Sequence, residues 1–180
     1  MKECNIVIGR FQPLTNGHVK CINETYRKYG LKTILFIIGV GDDKVDTRHP
    51  FATSSLIPMY KKTLRHLENI IDIVEVRSAD IIRISSICEQ LGYQIKTWSC
   101  GEDRAVAYTQ MGVRYKERAH LCEDFKVVVF DRTDGISATG VRNAIILKDY
   151  DTFVRNTPYQ MSESVFETLK IQLDKVYAKS

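Results

Sequence analysis

The chain is short of several things that would place it outside the ordinary globular class. Its longest strongly apolar run, Thr33 to Val40, falls far below the roughly 18 residues that span a bilayer, and reads instead as a buried strand. The N-terminal MKECNIVIGRF has one lysine and then only Ile6, Val7 and Ile8 before Gly9, too little for a secretory signal, so a cytoplasmic location without membrane contact is expected. Cysteine is scarce: five residues, odd in number, widely spaced, without a C-x-x-C pair or histidines at zinc-finger spacing. That excludes a disulfide scaffold and predicts reduced, packed thiols and no protein-held metal. Four prolines and 10 glycines in 180 residues exclude collagen-like and low-complexity chains. Charge of one sign is missing too: 26 basic against 22 acidic residues leaves +4, too mild and too dispersed to indicate nucleic acid. The short cluster Lys61, Lys62 and Arg65 has the spacing of one solvated helix face.

What is present is a chain 44% apolar, long enough to bury about 70% of its extended surface without staples. No repeat or linker divides it, so one domain over 1–180 is expected, with a core over about 3–148 and a helical segment over about 149–180. β-branched runs predict strands at Asn5 to Ile8, Thr33 to Ile38, Ile71 to Val76, Ile95 to Trp98 and Lys126 to Phe130. Helical spacing predicts helices over His18 to Tyr29, closed by Gly30, and Leu56 to Leu67, capped by Thr53, Ser54 or Ser55. Further helices are predicted over Ile84 to Leu91, after Ser137, and from Ser162 to Tyr177, while Gly41 to Phe51 and Gly101 to Glu117 read as loops. This β-α-β-α order implies an α/β, Rossmann-like parallel sheet of about five strands with helices on both faces and a C-terminal helical extension. Ligands in such sheets sit past the carboxyl ends of strands, so chemistry is expected after Ile8, Ile38, Trp98 and Phe130.

Two segments meet that expectation. After the first strand, Gly9-Arg10-Phe11-Gln12-Pro13-Leu14-Thr15-Asn16-Gly17-His18 leads into a helix whose free N–H groups and dipole suit a phosphate, with Thr15 and His18 spaced to stand beside it. No P-loop pattern is present. Read alone, the glycines serve turns and His18 caps a helix about as readily. Past the last strand, Ile136-Ser137-Ala138-Thr139-Gly140-Val141-Arg142 offers Ser137 and Thr139 at a helix start and Arg142 about one turn on, where its fork could clamp phosphate oxygens. Alone, Ser-x-Thr there is ordinarily a cap; the pair of segments changes the odds.

GRFQPLTNGH resembles the T/H-x-G-H motif, and ISATGVR the I-S-x-T-x-x-R motif, of the nucleotidyltransferase superfamily related to class I aminoacyl-tRNA synthetases. The GRFQP lead-in is most similar to nicotinamide-nucleotide adenylyltransferases of archaeal type. HPFATSSLI (His49 to Ile57) is loosely similar to their N-P-F-T-x-x-E-R-I segment, TWSCGED (Thr97 to Asp103) to their strand-end loop, and FVRNTP (Phe153 to Pro158) to a Val-Pro stop. The resemblance spans roughly residues 3 to 160. It implies transfer of AMP from ATP to nicotinamide mononucleotide, or nicotinic acid mononucleotide, giving NAD and pyrophosphate. Under it His18 and Thr15 contact the α-phosphate, and Gly9, Arg10 and Phe11 line the nucleotide. Ser137, Thr139 and Arg142 hold the leaving pyrophosphate, and Gly101 and Asp103 adjoin the nucleotide. Mg²⁺ is expected mainly through the ATP phosphates, and homo-oligomers are common among such relatives. Trp98 could stack on nicotinamide, although core packing serves it equally well.

One departure stands out. Ser55 and Leu56 replace the relatives' Glu-Arg pair, so Lys44, Arg48 or His49 would have to supply the substrate-binding charge. Transfer to another acceptor (phosphopantetheine, glycerol phosphate or a sugar phosphate) and a non-catalytic nucleotide- or RNA-binding module are the alternatives. A synthetase fragment is disfavoured because no K-M-S-K-S follows.

Overall fold

The five β-branched runs become five strands of one sheet in the computed structural model of the chain, which describes residues 1–64, 67–131, 137–158 and 163–180. They are β1 (Lys2–Gly9), β2 (Thr33–Ile38), β3 (Ile70–Val76), β4 (Tyr93–Gly101) and β5 (Lys126–Phe130), arranged β3-β2-β1-β4-β5 with every pairing parallel. The order reverses between β1 and β4. Their carboxyl ends, Gly9 and Gly101, therefore flank the switch point at which open sheets of this kind receive ligands.

All five strands belong to one compact unit made of Met1–Gly9, Cys21–Ile38 and Glu68–Thr133. β2 is buried from Thr33 to Ile37, as an inner strand covered on both faces must be. On one face Ile6, Ile34, Phe36 and Trp98 form a hydrophobic cluster with Ile81, Ile84 and Cys88 of α3 (Ile81–Gln90) and Tyr108 of α4 (Glu102–Tyr115). Burying each large apolar side chain there stabilises the unit by roughly 1.5–3 kcal/mol.

The opposite face carries a polar row. Register sets Asn5 opposite both Thr33 and Thr97. The Asn5 amide donates to Thr33 Oγ1 at 2.9 Å, and its carbonyl accepts from Thr97 and Ser99 hydroxyls at 2.7 and 2.8 Å. Ser99 Oγ lies 3.2 Å from Thr25 Oγ1 of α1 (Asn16–Tyr29), so the second half of that helix covers this face. Each member is buried and partnered, which makes the row a pin for register rather than a desolvation cost.

Gly30 closes α1 as expected: its φ is +68°, which a side chain would resist, and its N–H donates to Tyr26. α3 starts three residues before the expected Ile84 because Asp80 caps it, accepting from the N–H groups of Ile82 and Arg83. The segment expected as a loop from Gly101 is corrected by α4. Its apolar spacing is weak, with Val106 and Val113 exposed and only Tyr108 and Gly112 buried. Gly112 is there because a Cβ would collide with the Phe125 ring.

The second unit consists of Arg10–Lys20, Gly39–Leu67 and Asp134–Ser180. The packing thus differs from the expected core over 3–148 and tail over 149–180, since two segments from the first half of the chain go with the C-terminal helices. Those helices are α5 (Ala138–Ile146), α6 (Tyr150–Asn156) and α7 (Glu163–Ala178), the last two joined by the rings of Tyr150, Phe153 and Phe166. α6 is capped by Asp149. α2 (Thr53–Leu64) opens earlier than Leu56, and none of the three expected caps caps it. The Thr53 hydroxyl instead accepts from Val40 N–H at 2.6 Å, and the Ser54 hydroxyl donates to Asp42 at the same distance. Lys61 and Lys62 are exposed on α2 as expected, whereas Arg65, Ile136 and Ser162 lie outside the described residues. Among the described residues all five cysteines are free thiols, and no helix is long and apolar enough to cross a membrane.

Candidate functional site

The loop that leaves β1 adopts a shape its own residues would not choose. Phe11 has φ +50°, in the left-handed region that side chains other than glycine rarely enter. Contacts from outside the loop hold it. The fully buried Tyr60 hydroxyl donates to the Phe11 carbonyl at 2.6 Å and accepts from Leu14 N–H at 2.9 Å. The Gln12 side chain pairs twice with the Phe51 backbone, donating to its carbonyl at 2.8 Å and accepting from its N–H at 2.9 Å. Burial pushes the Tyr60 phenol above its ordinary range, so it remains a donor at any physiological pH. Tyr60→Phe leaves two buried backbone groups unpartnered and is expected to cost about 2–4 kcal/mol in urea unfolding. An unchanged midpoint would contradict this account of the loop.

Thr15 caps α1: its carbonyl accepts from His18 and Val19 N–H. His18 answers from one turn on. Its Nδ1 accepts from Thr15 N–H at 3.0 Å and lies 3.2 Å from the Thr15 hydroxyl, a reciprocal arrangement like a capping box. A backbone N–H can only donate. Nδ1 must therefore present its lone pair, which leaves the ring proton on Nε2. The Phe11 ring meets the imidazole edge-on at 4.8 Å and fixes its plane.

At α5, Ser137 is the cap and its Oγ accepts from Gly140 N–H at 3.0 Å. Arg142, one turn further, is held by two of its N–H groups: Nη1 donates to the Gln12 carbonyl at 2.6 Å and Nη2 to Thr139 Oγ1 at 3.2 Å. Burial lowers its pKa from the ordinary value, and a guanidinium so lowered still carries its charge.

These groups meet at an open cleft of about 270 Å³ lined by Arg10, His18, Arg48, His49 and Arg142, with Phe11, Gln12 and Ala138 between them. Three guanidiniums and two imidazoles face it, no lining residue among those described is acidic, and the first turns of α1 and α5 border it. Such a lining recognises an anion with several oxygens. Arg48 and His49 are set in place by Asp46, whose Oδ1 accepts both their backbone N–H groups, at 2.9 and 2.7 Å. Those bonds, with His49 N–H foremost, hold the Asp46 carboxyl below its usual range.

Of the expected residues, Arg10, Phe11, His18, Arg48 and Arg142 line the cleft, while Thr15, Ser137 and Thr139 support them from the helix starts. Gly9, Gly101 and Asp103 belong to the sheet unit, at the carboxyl ends of β1 and β4 and the first turn of α4. Trp98 is corrected as a stacking platform. It is fully buried in the sheet's hydrophobic cluster with its ring stacked on Tyr108 at 3.8 Å, so neither face is open to a ligand. Leu56 is likewise fully buried, and of the three residues expected to supply charge in place of the relatives' arginine, Arg48 and His49 line the cleft and Lys44 is not among its lining residues. Gln12 and Tyr60 were missed: Gln12 lay unremarked inside the first motif, and Tyr60 read as one more apolar position of α2. Among the described residues one group of acidic and thiol side chains is close enough to share an ion, Glu3, Cys122 and Asp124. Lys96 Nζ already bonds Glu3 at 2.8 Å and pairs with Asp124 at 3.3 Å, so that group is an ion-pair cluster.

In solved structures the same fold recurs. A protein from Vibrio parahaemolyticus assigned provisionally as a nicotinate-nucleotide adenylyltransferase superposes with a TM-score of 0.54 over 94% of this chain and 99% of its own, at 19% identity. TmcAL from Thermotoga maritima, solved with alpha-thio ATP bound, superposes with a TM-score of 0.56 over 96% of this chain and 56% of its own, at 11% identity. Among curated proteins none matches the chain in sequence. The cytidylyltransferase-like family model matches residues 6–144, a span that takes in β1 from Ile6 onward with its loop, the other four strands and most of α5 with Arg142. The chain therefore belongs to the cytidylyltransferase-like family, within the nucleotidyltransferase superfamily.

Proposed function

We propose that the chain transfers AMP from ATP to a pyridine mononucleotide, releasing pyrophosphate. The observation that carries this is the cleft itself, in which His18 from one motif and Arg142 from the other converge with Arg10, Arg48 and His49. A phosphate oxygen of the mononucleotide attacks the α-phosphorus of ATP in line, the bond from that phosphorus to the bridging oxygen breaks, and pyrophosphate leaves with the electron pair. No covalent intermediate with the protein is needed. His18 donates from Nε2 to an α-phosphate oxygen. The guanidiniums, Arg142 foremost, take the charge that develops on the leaving group. Among the described residues the cleft lining holds no carboxylate, and magnesium enters as part of the MgATP substrate.

The pyridine acceptor is supported by the GRFQP lead-in of the first motif and by the name of the Vibrio neighbour. A second reading, transfer to another phosphate acceptor, is favoured by the buried Leu56 where the resembling enzymes place arginine. The two separate in a pyrophosphate-release assay with ATP or CTP against nicotinamide mononucleotide, nicotinic acid mononucleotide, phosphopantetheine and glycerol 3-phosphate. Release with ATP and a pyridine mononucleotide is expected. Release only with CTP or with a non-pyridine acceptor transfers the assignment to the second reading.

A further inference from the structure

His49 is the cleft residue whose charge is not fixed by its chemistry. The guanidiniums of Arg10, from the β1 loop, Arg142, from α5, and the adjacent Arg48 act on it, with His18 of α1 in the same lining. Against them stands one carboxylate, Asp46, whose Oδ1 is 3.7 Å from His49 Nδ1. Building on the polyphosphate reading of the cleft, we infer that His49 is a proton-linked anion ligand: neutral in the empty cleft, and protonated when a polyphosphate binds.

In the empty cleft two effects disfavour imidazolium. Partial burial removes water, and three guanidiniums repel a further positive charge more than one solvated carboxylate attracts it; both lower the His49 pKa, with burial first. A polyphosphate reverses the balance. It brings at least two negative charges into the space the arginines face, so the field at the ring changes sign and the imidazolium becomes a charge-assisted donor. The sign of the linkage follows. A group whose pKa is higher in the complex than in the free protein adds affinity that is complete below the free value and is lost as pH rises through the bound value. Arginines alone would give no such dependence, because they do not titrate in this range.

The test is calorimetric titration of inorganic pyrophosphate at pH 6.0 and 8.5, in buffers of different ionisation heat, on the wild-type chain and His49→Asn. Pyrophosphate has its own titration, and the variant subtracts it. The wild type is expected to take up additional protons per pyrophosphate near neutral pH and to bind about threefold tighter than the variant at pH 6.0, the ratio approaching one at pH 8.5. Equal proton uptake, or a ratio independent of pH, overturns the inference while leaving the polyphosphate reading intact. A wild-type protein that binds no pyrophosphate at either pH overturns both. The histidine ring resonances supply a second readout: with four histidines in the chain, the one missing from the variant is His49. Its titration midpoint is expected to rise by about one pH unit on saturation with pyrophosphate, and an unmoved midpoint overturns the inference.

Discussion

The His18→Ala protein is expected to release pyrophosphate from ATP at least about a hundredfold more slowly than the wild type, with a much smaller change in ATP affinity. The ring is held by Thr15 N–H on one nitrogen and by the edge of Phe11, which fixes the direction of Nε2–H. A fixed donor stabilises charge that develops in the transition state without reorganising to do so, and its loss falls on turnover. His18→Ala also leaves the Thr15 N–H without its partner, so thermal unfolding of the same protein is needed alongside the kinetics. A folded variant that keeps turnover within about fivefold would remove His18 from the chemistry.

Arg142 carries the second large effect. Its guanidinium uses two N–H groups on the Gln12 carbonyl and Thr139, and its planar fork has five N–H donors, leaving three to meet phosphate oxygens. Arg142→Ala is expected to lower kcat/KM by roughly two orders of magnitude and to weaken inhibition by product pyrophosphate. Arg142→Lys should recover little of this, because one ammonium cannot keep both anchors and still present an edge to a phosphate. Full activity in the lysine variant would show that only the charge matters and that the anchoring geometry does not.

Much of this was legible in the chain, and the reasons are local. All five strands were found to within three residues at each end because buried parallel strands are runs of β-branched residues with nothing else to explain them. The two motifs were legible because each is a contiguous run after a strand, with small residues, hydroxyls and a cation at fixed spacing, as at Ser137, Thr139 and Arg142. α4 was not legible, since its glycine answers to the Phe125 ring, a contact that lies outside the helix's own periodicity. Nor were the supports of the β1 loop. Nothing in the sequence brings Tyr60 to Phe11 and Leu14, 49 and 46 residues away, or Gln12 to Phe51. The Asn5 row shows the same limit, as one asparagine in a strand pattern looks like an exposed position until the register brings Thr33 and Thr97 beside it. Trp98 was ambiguous by position: a strand's carboxyl end admits both a ligand platform and a core residue, and the parity that sets it beside Ile6 selected the core.

The measurement that bears most directly on the account is product identification with ATP labelled at the α-phosphate, incubated with the full chain and either nicotinamide or nicotinic acid mononucleotide. The account predicts that the label appears in a dinucleotide of AMP and the pyridine nucleotide, one per pyrophosphate released, and disappears in the His18→Ala control. Folded protein that binds ATP yet transfers no label to either acceptor would contradict the pyridine-nucleotide assignment.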